Sequence, residues 1–113
     1  MIGKGELMNN RELLEAAAKA AGNSATWYAA LGMGIDNGGT FPTLWNPIED
    51  DGDALRLAVA LGIRFSPIVN GGDHCCAGLT FEPGSVFVED RGTDPFAVTR
   101  RAIVRAAAAM ATE

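Results

Sequence analysis

Apolar residues recur at helical spacing in three stretches and alternate in three others, and these two periods set the expected architecture. From Asn10 to about Ala21, the residues Leu13, Leu14, Ala17, Ala18 and Ala21 trace one stripe. Asn9 stands where an N-cap belongs, Glu12 follows three positions on, and Gly22-Asn23 supplies a stop. A second helix is predicted from a cap at Asp50 or Asp51 to Gly62, with Leu55, Ala58, Val59 and Gly62 at i, i+3, i+4 and i+7. Leu57 and Leu61 widen that stripe, and Asp53 falls in the first turn, where the helix dipole favours an anion. A helix so apolar predicts cover on more than one side. The third helix opens at Asp94-Pro95, a cap followed by a first-turn proline, and runs to about Ala111. Phe96, Thr99, Ala102, Ile103, Ala106 and Met110 trace one of its faces.

Three strands are expected between the second and third helices. Ile63 to Val69 alternates, with Ile63, Phe65 and Pro67 on one side, and Pro67 marks an edge position or a bulge. Cys75 to Phe81 puts Cys75, Ala77, Leu79 and Phe81 on one face, and Ser85 to Glu89 forms the third strand. The turns between them, Asn70-Gly71-Gly72-Asp73 and Glu82-Pro83-Gly84, are short, which favours an antiparallel meander. Residues 24–48 are less legible. Asp36-Asn37-Gly38-Gly39 is a turn, with short strands expected at about 30–35 and 40–45. The class is therefore α+β: a small antiparallel sheet of three to four strands packed by about three helices, an α-β-α sandwich with helices on both faces. Residues 1–8 carry no periodicity and read as a disordered lead-in, with Met8 an alternative start, and residues 9–113 read as one domain.

Composition changes this picture in a few places. At 113 residues with 48% hydrophobic content the chain can build one modest core, which excludes wholesale disorder. Nineteen alanines thin that core, and 14 Gly with 5 Pro predict turn-rich connections. No run of about 18 apolar residues exists, so a membrane span is excluded. A formal net charge of −5 argues against a nucleic-acid partner, since phosphate neutralisation needs a basic surface. The first residues lack the apolar core of a signal peptide, which predicts a cytoplasmic location. The two cysteines, Cys75 and Cys76, are adjacent, alternate across a strand and are read as free thiols.

The stretch Leu44-Trp45-Asn46-Pro47-Ile48-Glu49-Asp50-Asp51-Gly52-Asp53-Ala54-Leu55-Arg56-Leu57-Ala58-Val59 resembles small proteins encoded by bacteriophages and prophages, the group described as the phage α-β-α sandwich domain. Residues 10–22 are similar to that family's first helix, and residues 93–102 to its last. The resemblance covers about half the chain. It implies helices packed on an antiparallel sheet, a phage or prophage origin and a bacterial host cytosol. It brings no catalytic residue to carry over. The Trp-Asn-Pro run also has a physical reading of its own. Pro47 pushes Asn46 out of the α region, Asn46 bonds nearby backbone in a turn, and Trp45 anchors that turn in the core.

Candidate chemistry is sparse. Asp73-His74-Cys75-Cys76 holds soft ligand types without the paired spacing of a zinc site, and a Cys–His nucleophile needs a geometry that sequence adjacency does not supply. Glu49-Asp50-Asp51-Gly52-Asp53 fails the calcium-loop spacing and reads as helix capping. Gly32-Met33-Gly34 with Gly38-Gly39 lacks the third glycine and the following helix of a dinucleotide fingerprint. Arg100, Arg101 and Arg105, with Arg91 upstream, form the only basic concentration.

No complete catalytic set, cofactor site or metal site emerges. The leading expectation is a non-enzymatic phage or prophage accessory protein that acts by contact with a host or phage protein. The expected interaction surface comprises Trp27, Tyr28, Trp45, Arg100, Arg101 and Arg105. The alternatives are a small-ligand or nucleotide module using the Gly-rich segment 27–45, and a thiol enzyme using Cys75 or Cys76 with His74. The Ala-rich last helix permits close helix–helix approach, which also admits a homodimer.

Overall fold

The computed structural model describes residues 9–39, 41–69, 74–79, 86–90 and 94–111. The lead-in expected at residues 1–8, Arg91 and the turns at 70–73 and 82–84 lie outside the described residues.

Helix α1 spans Asn10–Ala20. Asn9 Oδ1 accepts from the Glu12 N–H at 2.8 Å and Glu12 Oε1 accepts from the Asn9 N–H at 3.2 Å, the reciprocal capping box expected from the sequence. The helix ends where Gly22 takes a positive φ of 77°. There the Gly22 N–H bonds the Lys19 carbonyl and the Asn23 N–H the Ala18 carbonyl, so the last carbonyls are satisfied. Leu13, Leu14, Ala17 and Ala18 are buried, as the stripe predicts.

The chain then builds a small antiparallel sheet of its own: β1 (Ala25–Tyr28), β2 (Gly32–Ile35) and β3 (Thr43–Leu44), in that order. Thr26 pairs with Gly34, and Gly34 with Leu44. The strands expected at 30–35 and 40–45 are β2 and β3. β1 is an addition, and all three form a separate sheet instead of lengthening the meander.

Helix α2 spans Asp51–Leu61. Asp50 caps it by accepting from the Asp53 N–H at 2.8 Å, and Gly62 closes it at φ 68°. Its buried residues are Ala54, Leu57 and Ala58. The stripe centred on Leu55 and Val59 is corrected here, because both of those side chains lie on the open side, and among the described residues α2 is covered on one face only.

The meander follows as expected: β4 (Ile63–Val69), β5 (His74–Leu79) and β6 (Val86–Asp90), antiparallel and in that order. β4 is an edge strand and its register shifts between Ser66 and Val69, so Pro67 sits at both of the places that tolerate a missing N–H. Helix α3 spans Pro95–Ala111, and Asp94 Oδ1 caps it through the Ala97 N–H at 3.1 Å.

α3 is the centre of the molecule. It packs on all three strands of the meander, on α1 and on α2. Consequently Ala102, Ile103, Val104, Ala106, Ala107 and Ala108 are all buried, which no single helical face accounts for. The expected face is corrected at its start, since Phe96 stands open to solvent. The class is α+β as expected, small antiparallel sheets packed by three helices, and because α1 packs on α3, β1 and β2, the described layers run meander, α3, α1. Alanine suits this position. Small side chains let a sheet and a helix approach α3 from two sides.

Candidate functional site

The Trp-Asn-Pro turn folds as its residues dictate. Asn46 Oδ1 accepts from the N–H groups of Ile48 at 3.1 Å and Glu49 at 3.2 Å, and the Asn46 N–H donates to Asp53 Oδ2 at 2.9 Å. The Trp45 N–H donates to the Met33 carbonyl at 2.9 Å, joining this turn to β2. Trp45 is 8% exposed and belongs to the core, and Pro47 is fully buried.

Of the expected interaction residues, Trp45 is therefore held in the core. Trp27 is half-buried against the core, with the Arg11 guanidinium 5.5 Å from its ring centre, while Tyr28 is more open at the end of β1. Arg100 and Arg101 of α3 are bonded within the fold. Arg100 donates Nε to the Ile48 carbonyl at 2.8 Å and Nη1 to Asp51 at 2.6 Å. Arg101 donates to Asn10 Oδ1 at 3.3 Å, and Arg105 is half-buried.

The acidic run is likewise engaged within the fold. Asp50 caps α2, Asp51 pairs with Arg100, and Asp53 pairs with Arg56 at 2.8 Å while holding the Asn46 amide. In the Gly-rich segment the Gly38 N–H donates to Asp36 Oδ1 and the Gly39 N–H to Asn37 Oδ1, each at 2.9 Å. The amides that a phosphate would need already serve the turn, beside a carboxylate. Gly34 is required for packing: a Cβ there would lie 3.0 Å from Tyr28 Cε2 and 3.1 Å from the Pro42 ring.

What the sequence did not place is an apolar cleft of about 540 Å³ between α2, β4 and the start of α3. Ala54, Leu55, Phe65, Phe96 and Ile103 line it, and the Asp51–Arg100 ion pair stands at its polar end. Leu55 is 54% exposed, Phe65 38% and Phe96 67%. Val59, 74% exposed, continues the open face one turn along α2. The clue was already in the sequence, in the surplus of apolar positions around α2. That surplus predicted cover on more than one side, and among the described residues the second side has none.

No helix among the described residues is long and apolar enough to cross a membrane. No family model matches the chain, and no match is found among curated proteins or solved structures.

Proposed function

We propose that this chain is a non-enzymatic protein-interaction module that receives the apolar face of a partner's helix in the cleft between α2, β4 and α3. The carrying observation is that cleft, with Leu55, Val59 and Phe96 left open beside it. Large apolar side chains clustered on a surface mark a contact site, since each loses favourable burial while it faces water. Two helices over a strand make a groove of the kind that takes an amphipathic helix. A small-molecule pocket needs several polar groups free to orient the ligand, and here Asp51 and Arg100 bond each other while Thr99 Oγ1, buried without a hydrogen-bond partner, offers one. The resemblance of residues 44–59, 10–22 and 93–102 to phage α-β-α sandwich proteins supports a phage or prophage accessory role in the bacterial cytosol, with a host or phage protein as partner.

The test is affinity capture from lysates of infected or lysogenic bacteria, with the unaltered chain, Leu55→Asp, Phe96→Asp and a control, Leu31→Asp, in the exposed turn between β1 and β2. A protein held by the unaltered chain and by the control, but lost from both cleft variants, supports the proposal. A partner that binds all four equally, or no partner at all, overturns it. So does a metabolite that raises the unfolding temperature of the unaltered chain by several degrees and leaves Phe96→Asp unmoved, because the cleft would then serve a small ligand.

A further inference from the structure

The side chains of His74, Cys75 and Cys76 lie outside the described residues, and the chemistry open to a partner is that of the cleft and its rim. The Asp51–Arg100 ion pair at the polar end of the cleft is lopsided. The Arg100 side chain is 16% exposed and gives its donors to the Ile48 carbonyl and to Asp51, whereas the Asp51 side chain is 69% exposed. The pair therefore turns a carboxylate, and not a guanidinium, toward solvent. Asp94, also exposed, directly precedes Pro95, another residue lining the cleft. It caps α3 through the Ala97 N–H, a bond that leaves its charge in place.

The cations nearest in sequence face elsewhere. Arg56 follows Leu55, but it lines a smaller hollow on the other side of α2, with Asn23 and Trp45, and pairs with Asp53. Arg64 precedes Phe65 and belongs to the other face of β4. Among the described residues the rim is thus an apolar ridge of Leu55, Val59 and Phe96 with exposed carboxylates at Asp51 and Asp94. The whole chain carries −5, so the field around the cleft has the same sign at longer range. A second copy of the chain would bring that same charge with it, which opposes self-docking.

We propose that the helix received by the cleft is a basic amphipathic one. Its apolar stripe lies against Leu55, Val59 and Phe96, and a Lys or Arg flanking that stripe lies over Asp51 and Asp94. This rests on the reading of the cleft as a helix-docking groove and names the chemistry of its occupant. Burial of the stripe supplies affinity. The carboxylates supply selection, because complementary charges steer the encounter and like charges repel. Arg100, bonded to Asp51 at 2.6 Å, holds one of those carboxylates at the mouth of the cleft.

The probe is a displayed library of amphipathic helices with leucine fixed at i, i+3, i+4 and i+7 and the flanking positions randomised over Lys, Glu and Gln, selected against the full-length chain at low salt. The retained helices are expected to be rich in Lys and to be lost on Leu55→Asp and Phe96→Asp but kept on Leu31→Asp. Raising NaCl from about 50 to about 500 mM should weaken them roughly fivefold. Asp51→Asn combined with Asp94→Asn, which keeps the cap of α3, should also weaken them roughly fivefold, since exposed ion pairs are individually weak. Glu15→Gln combined with Asp36→Asn removes two charges elsewhere and should change the affinity less than about twofold. Retained helices that bind in the cleft but are rich in Glu or Gln, or whose affinity the two paired variants change equally, overturn the basic partner and leave the groove standing. No retained helix, or helices held equally by Phe96→Asp, overturn both. A dimer seen by light scattering and abolished by Phe96→Asp makes a second copy the occupant and overturns the basic partner.

Discussion

Arg100 Nε donates to the Ile48 carbonyl oxygen at 2.8 Å, across 52 positions of chain, and so fastens the last helix to the turn that launches α2. The same guanidinium reaches Asp51, the first residue of α2. One planar fork therefore sets the distance between two helices whose separation defines the cleft. A residue chosen from sequence as a docking cation serves as an internal brace.

Removing that brace tests its weight. Arg100→Ala leaves the Ile48 carbonyl without its partner in a half-buried place, and hydrogen bonds to charged groups contribute about 1.5–3 kcal/mol. A loss of that size is expected in urea unfolding. Arg100→Lys keeps the charge but not the fork and should recover less than half of it. Asp51→Asn is expected to cost at most about 0.5 kcal/mol, because Asp51 is largely exposed and surface ion pairs contribute little. Equal losses at Arg100 and Asp51 would mean that the ion pair, not the carbonyl contact, carries the brace.

The turn itself gives a second prediction. Asn46 Oδ1 satisfies two backbone donors, so Asn46→Ala should cost about 1–2 kcal/mol, the range of a lost capping oxygen. Asn46→Asp keeps the acceptor but adds a charge beside Glu49, Asp50 and Asp53. It should recover part of the loss, and more of it at high salt, where like charges are screened. Recovery independent of salt in denaturant titrations would contradict the electrostatic part of this account.

How far the sequence carried follows from the range of each interaction. The caps at Asn9, Asp50 and Asp94, the stops at Gly22 and Gly62 and the turn at Asn46 were legible because each joins residues a few positions apart. The meander was legible because alternation and short turns leave few pairings. The burial of α2 was not. Leu55 and Leu57 are chemically the same, and only tertiary packing separates them: Leu57 stands beside Ala21, Ile35 and Trp45, and Leu55 borders the open cleft. The role of Arg100 was hidden for the same reason, since its partners lie some fifty positions away. Of the expected interaction residues, Trp45 is in the core and Arg100 is bonded within the fold, while the cleft residues Leu55 and Phe96 had been assigned to the core.

That difference between the two leucines is measurable. Leu57→Ala should cost about 2–5 kcal/mol, the range for emptying a buried site, and Leu55→Ala at most about 1 kcal/mol. Chemical denaturation of both variants separates the two values easily. Similar costs would mean that Leu55 is covered in solution, and the open cleft would lose its main support.

Crowding makes a distinct prediction at Gly34. A methyl group there meets the Tyr28 ring edge at 3.0 Å and the Pro42 ring at 3.1 Å. Tyr28 can swing away, but a proline ring cannot, so Gly34→Ala should cost about 1–3 kcal/mol, the range for overpacking. Combining it with Tyr28→Ala removes one of the two contacts and should leave a residual penalty from Pro42. Full recovery in the double variant would show that the proline contact yields easily.

The enclosure of α3 is tested most directly by adding volume. Ala107 is buried on a helix packed between the meander and α1, so a larger side chain has no free direction in which to extend. Ala107→Leu should destabilise by about 1–3 kcal/mol or more, since a well-packed core accepts extra methylenes only by shifting backbone or leaving preferred rotamers. Ala60→Leu on the exposed side of α2 changes the same atoms at nearly the same helix propensity and is expected to stay within about 0.5 kcal/mol. The pair isolates packing from propensity. A neutral Ala107→Leu in thermal unfolding would mean that sheet and α1 do not close on α3 from two sides, and with them would go the layer order that leaves α2 uncovered on its outer face.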